Sequence, residues 1–165
     1  MNVNAAENCI NSVTISESKN YEEQGFELID TIALENGIGC EVYKKVITNK
    51  GFSDSTSTVT KTVTLDFGLV VNGESIGYLE QITKWKIDNR NRPVFKSGSD
   101  KLYAYDTDKY KLTAGETSVT NYLTSCKMYT RRTTLKKDGR SIGTTDFSTI
   151  VDKYGTASPK SKDVG

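Results

Sequence analysis

The strictest constraint in this chain is an alternation that runs over residues 58–71 and stops at Asn72-Gly73. Val59, Val63, Leu65, Phe67, Leu69 and Val71 fall on one face, interrupted only by Lys61, while Thr58, Thr60, Thr62, Thr64 and Asp66 fall on the other. Successive side chains of a strand point to opposite faces, so a period of two sustained this far specifies a half-buried β-strand. Asn-Gly is the dipeptide that tolerates positive φ at both central positions of a two-residue hairpin turn. Residues 58–86 therefore read as one long hairpin. The register set by such a turn places Leu69 opposite Ile76, Phe67 opposite Tyr78 and Val63 opposite Ile82 on one face. It also sets Gly68 opposite Gly77 as a bare patch that accommodates a bulge, a bend or another backbone, and Glu80 opposite Leu65 on the apolar face.

The rest of the chain follows the same grammar. Short strands are expected over residues 11–16, 101–105 and 110–113, and a last long pair over 117–135 and 141–151 across residues 136–140, where Asp138-Gly139 is a two-residue turn or part of a three-residue loop with Gly139 as a bulge. Residues 26–34 pair with 39–48 across Asn36-Gly37 if they are extended. The alternative is a short helix near residues 21–34, with Asn20 as cap and Glu23 at the capping-box position. Residues 50–57 and 88–93 read as loop and turn, with Pro93 opening an edge strand. Residues 61–77 and 127–143 share Lys, Thr, Leu, Gly, Ser, Ile and Gly at matching offsets, ending in NGESIG and DGRSIG. Two similar hairpins, one per sheet, explain the match. The fold class is all-β, an antiparallel arrangement of long hairpins in a β-sandwich. Residues 1–8 read as a leader remnant or flexible segment, 9–154 as a single domain and 155–165 as a flexible polar tail.

Composition narrows the function. Twenty-one threonines against two prolines and one tryptophan suit pleated, half-exposed surfaces. Lys plus Arg (22) balances Asp plus Glu (21), which leaves no field to steer a nucleic acid. No apolar run approaches ~18 residues, so no transmembrane helix is expected. Histidine is absent, which removes the commonest general base and metal ligand. No cofactor or metal is implied. Cys9, Cys40 and Cys126 lack CxxC spacing; two of them pair as a disulfide, or all three are free thiols. Val3-Asn4-Ala5 before Ala6 has the small-residue pattern of a signal-peptidase site, pointing to an extracellular or cell-surface location.

Few constellations promise chemistry. Asp106-Thr107-Asp108 lacks the further oxygen ligands of a calcium loop. Ser16-Glu17-Ser18-Lys19 spells S-x-x-K without its partner motifs. Glu80, an acid on an apolar face, is the candidate for a displaced titration and for carboxylate-based hydrolysis. Trp85, Tyr103, Tyr105 and Tyr110, with Tyr78 beside them, are the candidate ligand-binding residues, because aromatic bodies with polar tips suit glycan and protein surfaces. The sequence thus reads as a non-catalytic exported β domain, a binding or structural module of a secreted or surface-displayed bacterial protein, whose partner is a surface protein or glycan. The alternatives are a membrane-inserting β-hairpin protein and a hydrolase using Glu80. Lys61, Glu80, Lys84 and Lys86 on the would-be lipid face count against insertion, at ~2–4 kcal/mol for each lysine near the midplane.

Overall fold

The computed structural model describes residues 3–9, 13–15, 19–52, 57–88, 90, 92–105 and 108–164, of which 3–9, 13–15, 50–52 and 57–58 are described by backbone alone. They build two sheets facing each other as a sandwich that does not close into a barrel. One sheet holds β2 (Val13–Ile15), β3 (Glu27–Ala33), β4 (Ile38–Phe52), β5 (Ser57–Val71), β6 (Glu74–Ile87) and β7 (Pro93–Ala104), in the order β2-β7-β6-β5-β4-β3. The other holds β1 (Val3–Cys9), β8 (Tyr110–Thr113), β9 (Glu116–Asn121), β10 (Cys126–Lys137), β11 (Arg140–Val151) and β12 (Ala157–Asp163), in the order β1-β9-β10-β11-β12, with β8 also pairing β10. Neighbours are antiparallel except β2 and β7. The core lies between the layers. Val63, Leu65, Phe67 and Leu69 of β5 meet Phe147 of β11, with Cys126, Leu135 and Val151 beside them. The rings of Phe67 and Phe147 lie 4.6 Å apart.

The central hairpin forms with the expected turn. Asn72 (φ 51) and Gly73 (φ 77) supply the two positive dihedrals. Val71 pairs Glu74 and Val70 pairs Ser75, but Leu69 then pairs Gly77, so Ile76 is an extra residue in β6. This β-bulge shifts every later pair by one. Phe67 faces Leu79 rather than Tyr78, Val63 faces Thr83 rather than Ile82, and Leu65 faces Gln81 rather than Glu80. Because one step of register moves a side chain to the other face, Leu79, Gln81, Thr83 and Trp85 turn inward while Tyr78, Glu80 and Lys84 turn outward. Gly68 accordingly faces Tyr78, not Gly77. The charges read onto the apolar face of β6 are on the opposite one, and the apolar face is spent on the sandwich core.

The second hairpin repeats the device. Asp138 (φ 50) and Gly139 (φ 80) make a two-residue turn, Lys136 pairs Ser141, and Leu135 then pairs Gly143, leaving Ile142 as the extra residue. The shared Ser-Ile-Gly is therefore a bulge placed at the same distance beyond each turn, with one copy in each sheet. Each bulge glycine receives an aliphatic side chain from the opposite sheet. A Cβ on Gly77 would stand 2.8 Å from Leu112 Cδ1 and collide with the Tyr103 carbonyl, and one on Gly143 would stand 2.6 Å from Ile38 Cδ1. The two knobs interlock the layers reciprocally.

Several expectations need correction. The helix alternative near residues 21–34 is not formed. The capping bond exists, from Glu23 N–H to Asn20 Oδ1 at 3.2 Å, but it closes a single turn that Gly25 (φ 82) ends, and β3 follows. Residues 50–57 are not wholly loop, since β4 runs to Phe52 and β5 starts at Ser57. Residues 117–135 are two strands, β9 and β10, separated by a turn in which Tyr122 N–H donates to the Ser125 carbonyl. The polar tail contains β12, a strand paired to β11 over Ala157–Asp163; an edge strand needs little apolar payload, so its sequence resembles a tail. Val3–Cys9 likewise forms β1 on β9 instead of a free segment. Among the described residues no helix is long and apolar enough to cross a membrane.

The two bulge glycines separate backbone from side-chain constraint. Gly77→Ala meets a fixed carbonyl and a φ of 151, so it should lower unfolding stability by about 2–4 kcal/mol. Gly143→Ala meets only the end of Ile38 and should cost about 1–3 kcal/mol. Urea midpoints of the two variants measure the order; equal losses would contradict this reading of the Gly77 bulge.

Candidate functional site

The Ile76 bulge assembles a cluster on the outer face of the β4–β7 sheet. It brings Glu80 of β6 directly opposite Asp66 of β5. Tyr78 pairs Tyr103 of β7, and their rings stack at 4.6 Å, with Tyr105 tilted at 5.8 Å from Tyr78. An outer sheet face is ordinarily solvated. Here residues 19–26 fold over it, held in a turn by the bond from Phe26 N–H to the Tyr21 carbonyl at 2.9 Å. Tyr21 stacks on Tyr43 of β4 at 3.8 Å with an interplanar angle of 3°. It also meets Phe26 edge-on at 5.4 Å and Tyr78 at 6.2 Å.

Lys19 enters beneath these rings. Its Nζ donates to Asp66 Oδ2 at 2.7 Å and to Glu80 Oε2 at 3.4 Å. It lies 4.2 Å from the Phe26 centroid, 5.0 Å from Tyr78 and 5.2 Å from Tyr21. The side chains of Lys19, Asp66 and Glu80 are 10%, 0% and 15% exposed. Asp66 Oδ1 is buried with no hydrogen-bond partner among the described residues. Burial is the main reason that the Asp66 carboxyl rises from 3.8 to about 7. Lys19 opposes the rise and the Glu80 charge adds to it. Burial, followed by the Asp66 charge, also lifts the Tyr21 and Tyr78 hydroxyls well above their ordinary range. Tyr43, half-buried and donating to Glu41 Oε2 at 2.6 Å, is pushed up to about 12 by that burial and that bond.

Beside the cluster the surface opens into a hollow of roughly 180 Å³ lined by Lys19, Tyr21, Glu41, Tyr43, Tyr105, Gly68 and Gly77 together with Val70 and Ser75. Gly68 leaves part of its floor without a side chain, and a Cβ there would come within 3.3 Å of the Glu41 carbonyl; Gly77 contributes backbone, its side-chain position facing Leu112 of the other sheet. A wider cleft of roughly 390 Å³ lies between β7 and β9–β10, lined by Phe95, Gly98, Asp100, Val119 and Met128 among others. There Asp100 accepts hydrogen bonds from the Thr117 and Thr130 hydroxyls, which leaves its carboxylate engaged in structure.

Of the residues predicted to bind, Tyr103 and Tyr105 do come together, with Tyr78. Trp85 and Tyr110 do not belong to the site: they are 1% and 2% exposed and lie in the core. The bulge is the cause for Trp85, which it turns inward. Glu80 is in the site, on the opposite face from the one inferred, and Gln81 takes the buried place. Gln81 is fully satisfied there, donating to Thr130 Oγ1 and the Phe147 carbonyl and accepting from Thr149. Cys40 and Cys126 are free buried thiols, each pushed up to about 12 by burial, so no disulfide joins them. The Cys9 side chain, residues 106–107 of the Asp-Thr-Asp turn and residues 16–18 of the S-x-x-K stretch lie outside the described residues. Sequence reasoning missed Asp66, Lys19, Tyr21 and Tyr43. Asp66 left a trace as the one charge in a row of threonines; Lys19 left none.

No family model matches the chain, and no curated protein or solved structure matches it either.

Replacing Lys19 with Met leaves burial and Glu80 unopposed at Asp66. The native state of Lys19→Met then holds a proton on Asp66 that the unfolded chain releases near its ordinary value of 3.8. A raised native pKa contributes stability that is lost as pH rises through it. The variant should therefore unfold at lower urea at pH 8 than at pH 5, and the added Asp66→Asn change should remove that slope. A pH-independent midpoint in the single variant would contradict the assignment.

Proposed function

We propose that this chain is a non-catalytic exported β domain, a binding or structural module of a secreted or surface-displayed protein, and that its binding face is the tyrosine hollow. The observation that carries the reading is the hollow itself, in which Tyr21, Tyr43 and Tyr105 stand around the bare backbone of Gly68 with Lys19 and Glu41 at hand. Aromatic bodies with polar tips over a side-chain-free floor suit a sugar ring, which needs apolar contact on its faces and hydrogen bonds at its edges. Export is supported by the Val3-Asn4-Ala5 pattern. The register of β1 breaks between Asn4 and Glu7, so a cut after Ala5 leaves the pairs of Glu7, Asn8 and Cys9 with β9 in place.

A hydrolase built on Glu80 needs two carboxylates flanking a bound substrate. Lys19 occupies the space beside both Asp66 and Glu80, which supports a non-catalytic reading. A glycan microarray followed by titration calorimetry tests the proposal. Wild-type chain should retain a glycan that is released unchanged, and Tyr43→Ala should weaken binding by about tenfold or more, on the scale of a lost aromatic anchor. Hydrolysis of the retained glycan, or binding indifferent to Tyr43→Ala and Tyr105→Ala, would defeat the proposal.

A further inference from the structure

The Lys19 cluster contains more than an ion pair requires. A buried pair is compensated when every remaining oxygen is hydrogen-bonded, yet Asp66 Oδ1 has no partner among the described residues and a second acid, Glu80, stands on the same ammonium. Lys19 Nζ is 2.7 Å from Asp66 Oδ2, the oxygen bonded to the carboxyl carbon Cγ. Phe26, Tyr21 and Tyr78 wall the nitrogen off from water. An amine, a carboxyl group and a proton carrier held together in a dry site are the complete set of reactants for an amide.

We propose that Lys19 and Asp66 join in an intramolecular isopeptide bond, with Glu80 carrying the protons. The starting state is the Lys19 ammonium, the neutral Asp66 acid and the Glu80 carboxylate. Glu80 takes one proton from the ammonium, and the freed amine attacks Asp66 Cγ. The proton on Glu80 passes to the departing hydroxyl, the Cγ–O bond breaks as the Cγ–N bond is completed, and one water leaves. Glu80 then takes the second proton from the nitrogen and yields it to solvent. No electrons are transferred and no co-reactant is needed. Burial supplies the neutral acid, since it lifts the Asp66 carboxyl to about 7. Positioning supplies the rate, because reacting groups held near contact behave as if at effective molarities of ~10⁵–10⁸ M. Exclusion of water favours condensation over its reverse.

The product would fasten the segment over the outer face to the centre of the sheet, closing a loop between positions 47 residues apart. A covalent strap of that kind limits the unfolded chain as a disulfide does, and it does so without a thiol partner in a chain whose Cys40 and Cys126 remain free.

The intact mass of the purified full chain decides the proposal. The expected mass is one water below that required by the sequence, with or without Met1, and protease mapping should yield a branched peptide joining Lys19 to Asp66. Lys19→Arg and Glu80→Gln should restore the missing water. A wild-type mass equal to the sequence sum overturns the proposal. So does a water loss that maps elsewhere, for instance to a succinimide at Asp138-Gly139. A bond that persists in Glu80→Gln overturns the role given to Glu80. The wild-type mass separates the bonded from the unbonded chain even where a variant fails to fold.

Discussion

Ile76 is one residue more than its partner strand can match, and the layout of both faces of the β4–β7 sheet depends on that mismatch. A strand has only two sides, so the extra residue exchanges them for everything that follows. Trp85 becomes core, Gln81 is carried into the interior, and Tyr78 and Glu80 are delivered to the outer face where Asp66 already stands. The bulge is fixed from three sides. The Asn72-Gly73 turn sets the register before it, the Ile76 carbonyl accepts from Tyr105 N–H at 3.1 Å, and Leu112 fills the space that a side chain at residue 77 would need. Any slip that removed the bulge would bury Glu80, Lys84 and Lys86 against Phe147 and its neighbours. Unpaired charges in a core cost several kcal/mol apiece, so the alternative register is excluded by a wide margin.

The second consequence is a sheet that is dry on both sides around Asp66. Covering an outer face by residues 19–26 gains aromatic contact but removes three ionisable groups from water. Their attraction for one another roughly offsets the loss, and a buried ion pair is poor evidence for added stability. What the arrangement does supply is specificity. Lys19 satisfies Asp66 and Glu80 only if the segment lies in one place, so the cluster fixes where the segment docks even if it adds little to the total. Inside the sandwich the buried Gln81 is a neutral polar group, matched at each end by Thr130, the Phe147 carbonyl and Thr149. The contrast is physical: a neutral amide can be satisfied by fixed neighbours, whereas the charged side chains sit where one face still approaches solvent.

Much of the scaffold was legible because it rests on short-range rules. Alternation found β5, and Asn-Gly and Asp-Gly found the two main turns, as the positive dihedrals of Asn72, Gly73, Asp138 and Gly139 attest. The match between residues 61–77 and 127–143 was visible too, but its meaning was not. The glycine of Ser-Ile-Gly is a local sign that a bulge, a bend or a close backbone fits there, but it does not choose among them; the knob arriving from the opposite sheet does, and that is a long-range fact. From that one omission came the misplacement of Trp85 and Glu80. Tyr110 was misjudged for a different reason: tyrosine serves surface and core alike, and only its position on β8 decides between them. Lys19 could not be found at all, since its partners are 47 and 61 residues away.

The hollow and the cluster share the Lys19 side chain, and this links their chemistry. As an ammonium, Lys19 puts positive charge at the edge of a hollow whose other charged group is Glu41. As an amide it would contribute none, leaving tyrosine hydroxyls, the bare backbone at Gly68 and a carboxylate bonded to Tyr43. Such a surface repels anions and presents mainly neutral donors and acceptors, which is the chemistry of a neutral sugar. The ammonium form would favour an acidic one. On that proposal, the state of a bond inside the sheet would set the charge preference of the surface above it, without any movement of the strands.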